Sequence, residues 1–159
     1  MGSFTVLAFT SANGAELFLK GLLERGMDGR SLAHLKIAAV GEGTKEALKR
    51  FGLVADWVPE RYTTEDLARL LAERCQPGDR VLIPRSVKGS RQLNRILEGA
   101  GVSYEDIPIY EVEGRSFDAS LLDGLDGLAF GSASGAEAFW REIEARSDPD
   151  ALKKLEGIL

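Results

Sequence analysis

The sequence predicts an α/β fold built around a parallel β-sheet. Short apolar, β-leaning runs alternate along the chain with amphipathic stretches of helical period, the pattern of βαβ units. One decapeptide, placed where a strand gives way to a helix, occurs twice: FTSANGAELF at residues 9–18 and FGSASGAEAF at 130–139. Seven of its ten positions are identical across an offset of 121 residues, which favours duplicated units over two corners that merely share small residues.

The elements follow in order. Phe4 to Phe9 reads as a buried strand. Ala15, Phe18, Leu19, Leu22 and Leu23 recur at i, i+3, i+4, i+7 and i+8, an amphipathic helix that stops near Gly26. Lys36 to Val40 is a second buried strand, followed by Gly41-Glu42-Gly43-Thr44 and a short helix whose apolar face is Ala47, Leu48 and Phe51. A third strand is predicted over Leu53 to Val58, ending at Pro59. Thr63 and Thr64 offer N-caps to a helix bearing Leu67, Leu70 and Leu71. Gln76-Pro77-Gly78-Asp79 is a turn, because Pro and Gly preset its dihedrals. Arg80 to Ile83 makes a strand, and Leu93, Ile96, Leu97 and Ala100 mark a helix capped by Gly101. Tyr104 to Val112 is placed at a sheet edge, since Pro108 cannot donate to a ladder. Gly114 to Gly124 is polar and glycine-flanked, a linker; beyond it Leu128 to Phe130 start a strand, and Ala136, Phe139, Trp140 and Ile143 repeat the first helix face.

A chain of 159 residues holds one domain, or one domain and part of another. It is 44% hydrophobic and 28% charged, enough for a real core. The net charge of −5 argues against non-specific affinity for nucleic acid or an acidic membrane surface. No apolar run reaches membrane-spanning length and no signal peptide opens the chain, so the cytoplasm is the expected compartment. One Cys75 and one His34 leave no metal cluster and no Ser-His-Asp hydrolase; Cys75 reads as a small, partly buried hydrophobe and His34 as a loop residue. Gly41-x-Gly43 lacks the third glycine of a dinucleotide fingerprint, since Glu46 stands there, and no cofactor site is predicted.

Taken in order, Phe9-Thr10-Ser11-Ala12-Asn13-Gly14-Ala15, Ala39-Val40-Gly41-Glu42-Gly43-Thr44, Val81-Leu82-Ile83-Pro84-Arg85 and Ile109-Tyr110-Glu111 resemble the uroporphyrinogen-III synthase family. Phe130-Gly131-Ser132-Ala133-Ser134-Gly135-Ala136 looks like that family's second Phe-x-Ser-x-Ser turn. The resemblance spans essentially the whole chain. It implies two flavodoxin-like, three-layer parallel-sheet domains joined by a two-stranded linker, with the active site in the cleft between them. On that pattern residues 4–113 form one near-complete domain, 114–125 the linker, and 126–159 a partial βα segment of the second. The family's N-terminal βα segment and its last quarter have no counterpart here, which implies a truncated synthase, inactive in isolation because most of one cleft wall is missing.

The resemblance further implies closure of hydroxymethylbilane to uroporphyrinogen III, with inversion of the last pyrrole ring and loss of water. That substrate carries eight carboxylates, so an acidic protein must hold it through local donors. Helix N-termini supply unpaired N–H groups and partial positive charge. Four such turns carry the candidate binding residues: Ser11, Ala12 and Asn13; Gly41 and Thr44; Arg85, Lys88 and Gly89; and Ser132, Ala133 and Ser134. In a parallel sheet they gather at the carboxyl ends of the strands. Each small residue has a plain alternative as a helix cap. Tyr110 aligns with a tyrosine near the family's cleft; as a catalytic residue its phenol would protonate the leaving hydroxyl, and as a structural one it would pack on an edge strand. Some family members are fused to a tetrapyrrole methyltransferase, and an unpaired strand near Gly127 to Phe130 would either dock on the sheet or pair with a second molecule. The competing reading is a stand-alone anion-binding or regulatory α/β module without catalysis. Whether the chain serves haem, cobalamin or sirohaem is not encoded in these motifs.

Overall fold

The computed structural model describes residues 3–113, 117–131 and 133–146. Its chain divides into two compact units, Met1–Val112 and Glu113–Leu159. The first unit holds four strands, β1 (Val6–Phe9), β2 (Lys36–Ala39), β3 (Arg80–Ser86) and β4 (Ser103–Tyr110), in one all-parallel sheet of order β2-β1-β3-β4. Four helices connect them: α1 (Ala12–Glu24), α2 (Glu42–Lys49), α3 (Thr64–Arg74) and α4 (Gln92–Gly99). The order is that of a doubly wound, flavodoxin-like sheet, whose direction of winding switches between β1 and β3.

The side-chain period of two divides the sheet's contents into two cores. Leu7 and Phe9 of β1 face α1 and α2, where they join Ala15, Leu19, Leu22 and Leu48. Val6 and Ala8 face α3 and α4, where they meet Leu67, Leu71, Leu93 and Leu97. β1 is thus buried on both sides, which explains why its sequence is a continuous apolar run.

The predicted helix stops hold in detail. At Gly26 (φ 70°) the N–H of Met27 bonds Leu22 O at 2.9 Å and that of Gly26 bonds Leu23 O at 2.9 Å. Gly101 (φ 69°) repeats the arrangement with Val102 N to Leu97 O at 3.0 Å and Gly101 N to Glu98 O at 3.1 Å. Both are Schellman motifs, in which the αL residue is glycine because a Cβ is strained there.

Two predicted strands do not form. Over Leu53–Val58 only one parallel bridge survives, Ala38↔Trp57. The cause is Asp56: its Oδ2 accepts the Ile37 N–H at 2.9 Å while its own N–H reaches Ile37 O at 2.8 Å. A side-chain carboxylate takes the place of a backbone acceptor, and the ladder ends there. In the second unit Leu128 to Phe130 lie in no strand. Within the stretch read as a linker, Asp118 Oδ1 accepts the Ser120 N–H at 2.9 Å and caps a short 3₁₀ turn, Ala119–Leu122. Helix α5 (Ala133–Arg146) follows, with Leu122 and Ile143 buried beside Phe117 and Phe139, whose rings stack at 5.2 Å. Among the described residues no helix is long and apolar enough to cross a membrane.

Candidate functional site at the carboxyl edge of the sheet

Because every strand of the first unit runs the same way, the corners after β1, β2 and β3 and the end of β4 share one edge. The β1–β3 ladder covers only Val6↔Val81 and Leu7↔Leu82. Pro84, two residues further on, has no N–H to extend it. β1 ends at Phe9, and the first turn of α1 passes close to the Pro84 carbonyl. A Cβ on Gly14 would lie 3.1 Å from Ser11 Oγ, 3.4 Å from the Pro84 carbonyl and 3.7 Å from the Tyr110 ring. Glycine at this position is therefore a matter of close approach, not of dihedral freedom.

Ser11 has extended backbone (φ −162°, ψ 154°) and caps α1, its Oγ accepting the Gly14 N–H at 3.0 Å. The same Oγ lies 3.1 Å from the Tyr110 hydroxyl, so the β1 corner and the end of β4 are joined by one side-chain hydrogen bond. Both residues are half-buried. Ala12 and Asn13 open α1, with N–H groups that its own carbonyls cannot reach. Asn13 is exposed.

At the β2 corner Gly41 caps α2 without a side-chain bond, its backbone simply extended (φ 179°), and Thr44 is 3% exposed. Tyr62, absent from the sequence-based site, lies across this corner: a Cβ on Gly41 would fall 2.7 Å from its Cγ. Tyr62 as a whole is 61% exposed. Its only sequence signal is its place one residue before the Thr63 cap, which brings it to the same edge.

The β3 corner departs most from expectation. Arg85, expected among the substrate-binding residues, is 5% exposed and turned toward α4. Its Nε bonds Asp106 Oδ1 at 2.9 Å, Nη2 bonds Asp106 Oδ2 at 2.5 Å and Asn94 Oδ1 at 2.6 Å, and Nη1 bonds the Ser90 carbonyl at 2.7 Å. Asn94 Nδ2 closes the ring by donating to Asp106 Oδ2 at 2.9 Å. Partial burial opposes ionisation of Asp106, but the bonds from Arg85 and Asn94 outweigh it and hold this carboxyl below the usual aspartate range. Gly89 packs on the guanidinium, where a Cβ would come within 2.8 Å of Nη1. Lys88 points outward and pairs with Glu111 at 3.2 Å. A cavity of about 380 Å³ opens beside this network on the α4 face.

Ser132 lies outside the described residues; Ala133 and Ser134 open α5, with side chains also outside them. Cys75 is half-buried, and burial, with Asp79 nearby, pushes its thiol up to about 11, so little thiolate exists near neutral pH.

Fold and edge together define a doubly wound α/β protein whose strand-to-helix corners collect polar groups where such folds bind ligands. The family model of uroporphyrinogen-III synthase HemD matches residues 1–157, and the chain belongs to that family. It is 33% identical to the porphyrin biosynthesis protein HemD of Ruminiclostridium josui, over 84% of this chain and 28% of that one. It is 28% identical to uroporphyrinogen-III synthase of Chlorobaculum parvum, over 94% of this chain and 64% of that one. The chain thus spans under two thirds of these relatives' lengths. Wild-type uroporphyrinogen III synthase of Thermus thermophilus superposes with a TM-score of 0.57 at 23% identity, covering 97% of this chain and 61% of that structure. A mutant of the same synthase gives 0.61 at 21% identity, covering 89% and 57%.

Proposed function

We propose that this chain contributes the Ser11–Tyr110 corner to a uroporphyrinogen-III synthase that closes hydroxymethylbilane with inversion of its last pyrrole ring. The observation that carries the reading is the 3.1 Å contact between Ser11 Oγ and the Tyr110 hydroxyl, made at the carboxyl edge of the sheet. Tyr110 is the proton donor in this reading. Its phenol protonates the terminal hydroxymethyl oxygen, the C–O bond breaks and water leaves, and the electron-rich pyrrole supplies the electron pair that expels it. The carbon so freed bonds the substituted α-carbon of the last pyrrole, and the older bond from that α-carbon to its bridging carbon breaks. The bridging cation released bonds the ring's other α-carbon, which returns its proton to the phenolate as aromaticity is restored, so the ring is inverted and the balance is loss of one water. Ser11, fixed by the Gly14 N–H, holds the phenol in register before the substrate arrives.

The carboxylates fall to the corners of this edge. The first N–H groups of α1 and α2 serve as donors through Ala12, Asn13 and the turn at Gly41, while Lys88 supplies a cation by exchanging Glu111 for a substrate carboxylate. Ser132, Ala133 and Ser134 are proposed to act as the equivalent corner of the second unit. The buried Thr44 is assigned to packing in this reading, and Arg85 is withdrawn from direct ligand contact because most of its donors are already engaged within the protein.

Titration of the chain with uroporphyrinogen III, and in parallel with inorganic phosphate, tests this. The expected result is saturable uroporphyrinogen III binding that weakens about tenfold, or about 1.4 kcal/mol, in Y110F. Phosphate binding without uroporphyrinogen binding would instead favour an anion-binding module without catalysis, and an unchanged affinity in Y110F would remove Tyr110 from the site.

A further inference from the structure

We propose that Arg85 is a positioning residue, whose guanidinium fork fixes the β3–α4 turn and, through that turn, sets the Tyr110 hydroxyl against Ser11. The proposal rests on the reading of Tyr110 given above for its functional meaning; its geometry is independent of it.

Arg85 directs most of its donors to three different segments of the first unit. A guanidinium presents five N–H donors in a fixed plane. Here Nε and Nη2 grip Asp106 on β4, Nη2 also reaches Asn94 on α4, and Nη1 holds the Ser90 carbonyl at the end of the turn. One side chain therefore ties together a strand, a helix and the loop between β3 and α4. The loop has no freedom to slide over it, since Gly89 lies against the guanidinium with no room for a Cβ.

The near end of the same loop is fastened to Tyr110. The β3–β4 register shifts between Arg85 and Ser86, so that Arg85↔Pro108 is followed by Ser86↔Tyr110 and Ile109 becomes the extra residue. Val87 N then donates to the Tyr110 carbonyl at 2.9 Å. The bulge falls one residue past Pro108, which offers no N–H to the ladder. Arg85 grips Asp106 just before the bulge, and Val87 holds Tyr110 just after it. Between them they select the path that turns the phenol toward Ser11. A displacement of about 1 Å at such a point is enough to break a 3.1 Å contact.

A positioning role differs from a ligand-binding one in what lysine can replace. If the charge at position 85 met a carboxylate of the ligand, R85K would retain most of the binding. If the fork sets the loop, R85K loses it as thoroughly as R85Q does, because one ammonium cannot span Asp106, Asn94 and Ser90 O together.

Tyrosine labelled with ¹³C at Cζ gives the direct readout in the chain without ligand: three signals, from Tyr62, Tyr104 and Tyr110, with Y110F identifying the last. The expected result is that R85K and R85Q both move the Tyr110 signal to its position in S11A, leave the Tyr62 signal in place, and weaken uroporphyrinogen III binding about equally, by about fivefold. G89A, which crowds the guanidinium while keeping every charge, and N94A move the Tyr110 signal in the same direction and serve if the position-85 variants do not fold. An unmoved Tyr110 signal in folded R85K, G89A and N94A overturns the proposal. So does full binding in R85K beside lost binding in R85Q. Failure of the wild-type chain to bind uroporphyrinogen III would strike the functional reading instead, and the ligand-free Tyr110 signal still decides the geometry.

Discussion

Asp106 meets a buried guanidinium on one side and the Asn94 amide on the other, so its charge is matched inside the first unit. Removing its charge as D106N leaves Arg85, at 5% exposure, without its counter-ion. Uncompensated buried charge costs about 3 kcal/mol or more, whereas a fully exposed pair such as Arg30–Asp28 is screened by solvent. The pH dependence follows from the direction of its shift. The folded state holds this proton more weakly than the unfolded chain does. The stabilisation is therefore complete above the ordinary aspartate range, near about pH 4, and drains away as the pH falls below it. Urea midpoints of wild type and D106N are expected to differ widely at pH 7 and to converge toward pH 3; a gap independent of pH would show that the carboxylate's charge is not what matters. None of this was legible in the sequence. Arg85 stands beside a strand-to-helix turn in a run that reads as ligand-facing, and its partner lies 21 positions away with no periodicity to link them. The direction of a long side chain at a strand end is set by tertiary partners, whereas Ser11 and Thr63 betray their roles through local spacing alone.

At the level of elements, α1 and α3 begin alike. Ser11 accepts the Gly14 N–H at 3.0 Å and Thr63 accepts the Asp66 N–H at 3.0 Å, both three residues into their helices. As caps the two are worth about the same, on the order of 1 kcal/mol when replaced by alanine. Only Ser11 also touches Tyr110. S11A and T63A are thus expected to lose similar stability in thermal melts, while uroporphyrinogen III affinity falls in S11A alone. Equal affinities would reduce Ser11 to a cap, the plain alternative that its sequence context allows. The helices were readable because capping residues, a 3.6-residue apolar period and αL glycines all act within one turn of each other. The third strand was misread because its apolar pattern is sound but Asp56 intercepts the Ile37 N–H, with Lys36 Nζ 2.8 Å from its other oxygen. Pattern alone cannot tell a strand from a segment whose side chain substitutes for the ladder.

For the molecule as a whole, the decisive fact is where its cores begin and end. Among the described residues, the two clusters flanking the sheet fall between Phe4 and Ile107, and the cluster around Leu122 and Ile143 is built from Phe117 onward. The alternating βα pattern made the first of these regions legible as a parallel α/β domain. The repeated decapeptide was a weaker guide: its second copy reproduces the helix as α5 but not the strand, since Leu128 to Phe130 have no ladder among the described residues. A shared corner sequence specifies a cap and a helix face, and a strand additionally needs a neighbour to pair with. From the closed cores we expect a chain ending at Val112 to fold alone and to keep the Ser11–Tyr110 contact, as both residues and the clamp around Arg85 lie within it. Its melting temperature should stay within about 4 °C of the longer chain's, under about 1 kcal/mol for a domain of this size. Its uroporphyrinogen III affinity should fall no more than the corner at Ser132 contributes. Yet an edge that leaves Ser11 and Tyr110 half-exposed admits water to the reacting carbon, and a phenol donates poorly to a hydroxyl that solvent can reach and reorient. Neither the 159-residue chain nor its 1–112 portion is therefore expected to convert hydroxymethylbilane to the inverted isomer faster than it closes unaided to the symmetrical one, which separation of the two uroporphyrinogen isomers measures directly. Efficient formation of isomer III by the first unit alone would mean that a single edge is enough to enclose the reaction.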